Sequence, residues 1–322
     1  MHYTFGGFMK RKVIQIANST QLVSLPRSWA LQHGVKKGQE LNVDIQDSSL
    51  IISTASREST PKTASIDVSG FHNRSMRIIG AFYRAGYDEL KVYFNNYQEL
   101  QFIQNVVREG CIGYELIDQG KNFVRIKKVS DAIDEEFDHV FRRLVMYIIT
   151  MGRETYAAMQ SHDKDQLRFV IDMDRGVNKF TDFCGRIITM TSKPGQHTLY
   201  HVVMEVEKIG DSFKHICQHL AATDLEVSKQ LLTITKKVSL FVEHLHDLLF
   251  KFSKERITAL YTLKNDIDES LDAYMATCTR QEAQIMFALR NIAESIDSID
   301  MPLIITQALR GDLPDLMAKK KS

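Results

Sequence analysis

An excess of charge of either sign is missing from this chain of 322 residues: 41 Lys and Arg stand against 40 Asp and Glu, a formal net charge of +1. Global charge therefore points to no polyanionic partner, and any basic surface has to be local. Cysteine is scarce. The four, at 111, 184, 217 and 278, form no C-x-x-C, which argues against a zinc ribbon or a thioredoxin-type site and fits a reducing compartment. Long hydrophobic runs are absent as well. The longest, LVMYIITM at 144–151, falls far short of the ~20 residues that a bilayer span requires. The segment MHYTFGGFMKRK carries no apolar run after its basic residues, so no signal peptide is expected. A cytoplasmic protein without membrane insertion is the expectation. No G-x-S-x-G, P-loop or H-E-x-x-H is present, and no nucleophile and base are suggested, so the chain is not read as an enzyme.

What is present divides into three textures, and apolar residues at 44% are enough to build a sizeable core. Residues 9–54 are short alternating stretches, VIQIA, TQLVSL, LNVDIQ and LIIS, around one short helix in PRSWALQHG. Pro26 suits that helix's first turn and Gly34 its end. Trp29 on this helix is expected to pack over the strands. Residues 55–65, ASRESTPKTAS, are small, polar and proline-bearing, and read as a linker. Residues 66–129 form a small α/β unit, with helices over 72–85 and 97–109 and strands in LKVYF, GYELID and FVRIKKV. From about 131 to 310, apolar residues recur at three- and four-residue spacing, as in helices. Breaks are few, at 161–165, 191–196, 221–224 and 252–255, and about six long segments are expected.

The helical region repeats. DRGVNKF at 174–180 echoes DESLDAY at 268–274, and EKIGDSFKHI at 207–216 echoes RNIAESIDSI at 290–299. Two tandem three-helix bundles, near 131–222 and 224–310, are the expected architecture. The fold class expected for the whole is therefore multidomain: a small β domain, a small α/β domain, then all-α tandem three-helix bundles.

Two places carry candidate chemistry. Residues 1–57 hold seven Lys or Arg against three Asp or Glu, and phosphate oxygens of DNA attract such charges. A segment of about 45 residues with four short strands and one helix buries little core alone, so dimerisation is expected. In the helical region Glu207 and Asp211 are four apart and share a helix face, with His215 continuing the row. Like charges at that spacing repel, and a cation would relieve them. Oxygen and imidazole ligands suit iron, manganese, zinc or magnesium, a divalent or trivalent ion.

The stretch KRKVIQIANSTQLVSLPRSWALQHGVKKGQELNVDIQDSSLIIS resembles the AbrB/SpoVT family through its basic first strand, its S-L-P-x-x-W run and its G-V-K-K-G-Q-E-L turn. That resemblance implies a swapped-hairpin homodimer with Lys10, Arg11, Lys12 and Arg27 at DNA. VEKIGDSFKHI resembles the signature of the PhoU family, and the doubled plan over 131–310 resembles that family's tandem bundles. It implies metal ligands at Glu207 and Asp211, with Asp174 in the first repeat and Asp268 and Asp272 in the second. Asn178 replaces one expected carboxylate. Arg290 stands where Glu207 does, leaving Glu294, so an internal ion pair is expected there in place of a metal. The combination resembles the long PhoU-type regulators of archaea. It implies a DNA-binding transcriptional regulator of phosphate uptake, or else an adaptor docking on the ATPase subunit of a phosphate ABC transporter, with the front domain serving only to dimerise.

Overall fold

The computed structural model describes residues 10–16, 20–46, 49–54, 61–71, 74–130, 136–191, 195–223 and 225–310. The chain divides into two compact units, Met1–Pro61 and Lys62–Ser322.

In the first unit β1 (Ile14–Ile16) pairs antiparallel with β2 (Thr20–Leu22), and β3 (Leu41–Gln46) with β4 (Ser49–Thr54). Between the hairpins lies α1 (Arg27–Gln32), with Pro26 at its N-cap and Gly34 beyond its end at φ +62°. That left-handed value is open to glycine at little cost. None of the described residues of this unit is buried. Ile45, Leu50 and Ile14 are 78%, 64% and 57% exposed. Trp29 is only half-buried, its ring centroid 5.1 Å from that of His33. It does not pack into a core within the unit, because a six-residue helix beside two separate hairpins encloses none.

The second unit opens with a four-stranded sheet of order β5-β6-β8-β7, made of β5 (Thr63–Asp67), β6 (Glu89–Tyr93), β7 (Tyr114–Gln119) and β8 (Phe123–Lys128). β5 runs parallel to β6, and the other pairs are antiparallel. Here the structure corrects the expected linker. Its residues 55–60 lie outside the described residues, but Thr63–Asp67 is a strand whose burial alternates. The small side chains of TASID hide that period, and a parallel partner 26 residues away decides it. Helices α2 (Ser75–Arg84) and α3 (Tyr97–Gly110) cover a core that includes Ile79, Leu90, Val92, Ile103 and Ile126.

Among the described residues six helices follow: α4 (Phe137–Ser161), α5 (Lys164–Met190), α6 (Gln196–Ala222), α7 (Lys229–Phe250), α8 (Lys254–Met275) and α9 (Arg280–Arg310). Their starts obey capping chemistry. Asp163, Ser228 and Ser253 accept backbone N–H bonds at α5, α7 and α8. At α9, Glu282 N donates to Thr279 Oγ1 (3.2 Å) while Glu282 Oε2 accepts from Thr279 N (3.0 Å), a reciprocal capping box. That box closes the break at 276–279, which periodicity alone did not mark. The two three-helix sets share one continuous apolar core, with α6 lying along α9 and α4 along α7.

The α/β part is fastened to the helices by one buried arginine. Arg186 of α5 is 2% exposed. Its Nη1 donates to the Tyr83 and Tyr87 carbonyls (2.9 and 3.0 Å), and its Nη2 to Asp88 Oδ1 (3.1 Å). Its guanidinium also lies over the Tyr114 ring, 5.0 Å from the centroid.

Candidate functional site

Gly210, inside EKIGD, sets the distance between α5 and α6. A Cβ there would meet the Val177 methyls at 3.0 and 3.3 Å. The close approach brings Asp174 and Asn178 of α5 against Asp211 and Lys214 of α6. Lys214 Nζ lies 3.0 Å from Asp174 Oδ2 and also bonds Asp211. Asn178 Nδ2 donates to the same Asp174 oxygen at 2.9 Å. Asp174 Oδ1 is buried without a hydrogen-bond partner among the described residues. Burial raises the Asp174 pKa, against the pull of Lys214. Burial also pushes Glu207 up to about 7, with Asp211 and Asp174 adding to the rise and Arg84 and Lys214 opposing it.

The second repeat solves the same problem similarly. Lys264 Nζ reaches Asp268 Oδ2 at 2.6 Å and Glu294 Oε1 at 3.0 Å, with its side chain 8% exposed. Burial alone would lower the Lys264 pKa, but the hydrogen bonds to Asp268 and Glu294 outweigh it and leave it raised. Arg290 bonds Asp272 and approaches Asp268 at 4.0 Å. The arginine thus pairs as its sequence position suggests, but the group joining Asp268 to Glu294 is the lysine, which sequence reasoning passed over. Its signal was present: Lys264 sits four residues before Asp268, on one helix face.

These contacts engage five of the expected metal ligands, Asp174, Asp211, Asp268, Asp272 and Glu294. Among the described residues no three His, Cys, Asp or Glu side chains gather to hold a metal ion. In each repeat an ammonium group already lies between the carboxylates that would ligate one. His215 is not part of the set. It lines a separate cavity with His219, Arg280 and Asn291, facing α9. The cause is geometric: each step of four residues turns about 40° around a helix, so the row from Glu207 has swung about 80° by His215.

Along the groove between α5 and α6, closed by α2 and α3, runs a cleft of about 870 Å³. Glu207, Asp211 and Lys214 open into it. Arg84 crosses it to bond Asp182, and burial raises the Asp182 pKa while Arg84 lowers it. Buried thiols offer no nucleophile. Burial pushes Cys111 and Cys184 up to about 12 and Cys217 to about 11, which keeps them protonated. In the first unit Lys10, Arg11, Lys12 and Arg27 are exposed and unpaired among the described residues.

The class these features define is a helical scaffold with internal charge clusters and an open cleft. No protein-family model and no curated protein matches the sequence. Solved structures similar to it include two PhoU proteins. One is the phosphate transport system regulatory protein PhoU from Streptococcus pneumoniae, at 17% identity and a TM-score of 0.48, covering 58% of this chain and 99% of that one. The other is PhoU from Pseudomonas aeruginosa, at 16% identity and a TM-score of 0.45, covering 56% of this chain and 99% of that one. Among the described residues, no helix is long and apolar enough to cross a membrane.

Proposed function

We propose that this chain is a non-enzymatic regulator of phosphate uptake that acts as a PhoU-type adaptor, docking its helices on a partner such as the ATPase subunit of a phosphate ABC transporter. The observation that carries the reading is the EKIGD helix inside a doubled three-helix array. Gly210 admits α5, and Asp211 joins Asp174 through Lys214. Exposed apolar residues Phe287, Met301, Ile305 and Leu309 recur on one face of α9, as a surface for a protein partner would. The first unit serves as a homodimer module, because its exposed apolar side chains need a second copy to cover them.

A second reading, DNA binding through the first unit, is favoured by one observation: Lys10, Arg11, Lys12 and Arg27 are exposed and unpaired among the described residues. One experiment separates the two. The purified chain is assayed by sedimentation against the transporter ATPase subunit and, in parallel, against its own upstream DNA. Phe287→Asp with Met301→Asp is expected to abolish the first interaction. Arg11→Ala with Lys12→Ala would weaken DNA binding and flatten its salt dependence by about 0.9 log units for every phosphate the chain no longer neutralises. ATPase binding that ignores the α9 substitutions would remove the support for the adaptor reading.

A further inference from the structure

The cleft between the α/β part and the helices holds more positive charge than its own carboxylates consume. Five cations line it, Arg77, Arg84, Arg175, Lys179 and Lys214, against four carboxylates, Glu109, Asp182, Glu207 and Asp211. Three of the four acids are already engaged: Asp182 with Arg84, Asp211 with Lys214, and Glu109 with Arg108 at 3.2 Å. Arg77 and Lys179 have no carboxylate partner among the described residues. Arg175 has only Asp172 at 3.8 Å, both side chains 70% exposed, a pair worth little in water.

The placement of these three cations is ordered. Arg175 and Lys179 are one turn apart on one face of α5. Arg77 stands on the α2 wall, two turns from Arg84, with Gly80 and Ala81 leaving room between them. The walls are held together by Arg186 and by the Arg84–Asp182 pair, so the cleft does not depend on a ligand to form. Its volume, about 870 Å³, lies in the range of sites for small organic ligands and is far larger than one inorganic anion needs. A single carboxylate would neutralise one of three separated cations. Several linked phosphate groups can meet all of them, and guanidinium and ammonium groups both suit phosphate oxygens.

We propose that this cleft is an effector site for a small organic molecule carrying two or more phosphate groups, of the size of a nucleoside diphosphate. This goes beyond the adaptor reading and does not rest on it, since a ligand site can exist whether or not the transporter is the partner.

The test is calorimetric titration of the full chain with ADP, inorganic pyrophosphate, orthophosphate and adenosine, with thermal melting of every variant. ADP is expected to bind and adenosine not to. Arg77→Gln with Lys179→Gln is expected to weaken ADP by about tenfold or more, since it removes two charge-assisted hydrogen bonds to phosphate. Gly80→Leu changes no charge. A Cβ at Gly80 would stand 3.7 Å from Asp182 Oδ2, and the longer side chain fills the space between the walls, so it too should weaken ADP. Lys237→Gln, at a site where Lys237 bonds Asp266 and Ser270 outside the cleft, should leave binding unchanged. Pyrophosphate binding as tightly as ADP would support the phosphate chemistry while showing that the nucleoside adds nothing. Absence of binding by ADP, pyrophosphate and orthophosphate alike at millimolar concentration overturns the proposal. So does ADP affinity that a folded Gly80→Leu chain retains in full.

Discussion

Two lysines change the meaning of the acidic residues in the helical repeats. Read along the chain, Glu207, Asp211 and Asp174 are an excess of negative charge that a metal would relieve, while Asp268, Asp272 and Glu294 have Arg290 beside them. Folded, Lys214 and Lys264 stand among them. Lys264 is nearly buried and serves two carboxylates, so Lys264→Met leaves Asp268 with only Arg290 at 4.0 Å and Glu294 without its ammonium partner. The cost should be about 2 kcal/mol, below that of a fully buried pair because Glu294 is half in water. Chelator treatment of the parent chain, in contrast, should leave its melting temperature unchanged; a drop on chelation would favour a bound metal. Glu207 behaves differently. Its folded pKa of about 7 lies above its ordinary 4.5, so the folded state holds its proton more tightly than the unfolded one. The stability this confers is present below about 4.5 and lost as pH rises through about 7. Glu207→Gln should therefore melt close to the parent at pH 5. At pH 8 it should be more stable by about 1–2 kcal/mol, the shift being discounted for partial exposure. Equal melting of the two chains at pH 8 would show that the carboxylate is not held against its charge.

Among the helices, the contact between α5 and α6 is the one on which the charge cluster depends, and a glycine makes it. At Gly210 a methyl would press on Val177. Gly210→Ala sets that squeeze against a gain in helix propensity of about 1 kcal/mol, and should be near neutral. Gly210→Leu cannot be absorbed in this way and should lower the urea midpoint by the equivalent of about 2–3 kcal/mol. A midpoint unchanged by the leucine would mean that α5 and α6 have more freedom than their contact suggests. Gly152 on α4 is similar in kind, with Phe213 and Ser239 at 3.0 and 3.1 Å from its would-be Cβ. Both glycines sit inside helices, where propensity alone disfavours them, so their presence reflects packing.

For the molecule as a whole, the contrast between the two units is the main energetic fact. The second unit buries two apolar cores, while the first buries no described residue and exposes Val13, Leu31 and Ile45 at 59%, 71% and 78%. Area at about 25 cal/mol per Å² has to be recovered for such a unit to persist, and a second copy is the available source. The full chain is expected to sediment as a dimer and a chain lacking residues 1–61 as a smaller species. A full-length monomer would refute this.

How far these features could be read from the chain follows from the range of the forces involved. Helices α4–α9 were legible because burial against one side imposes a local period of three to four residues. The hairpins of the first unit and the ends at Pro26 and Gly34 were legible because turn chemistry is local too. β5 was hidden, since a strand of small residues declares itself only through its neighbour. The doubled carboxylates could be seen, but not the ammonium groups between them, nor His215 turning away toward α9. Nor could the chain show that α2 and α3 close a cleft over α5 and α6. Charges four apart on one helix have a fixed spacing. Charges on different helices acquire theirs only when a glycine, a buried arginine and a shared core bring the helices together.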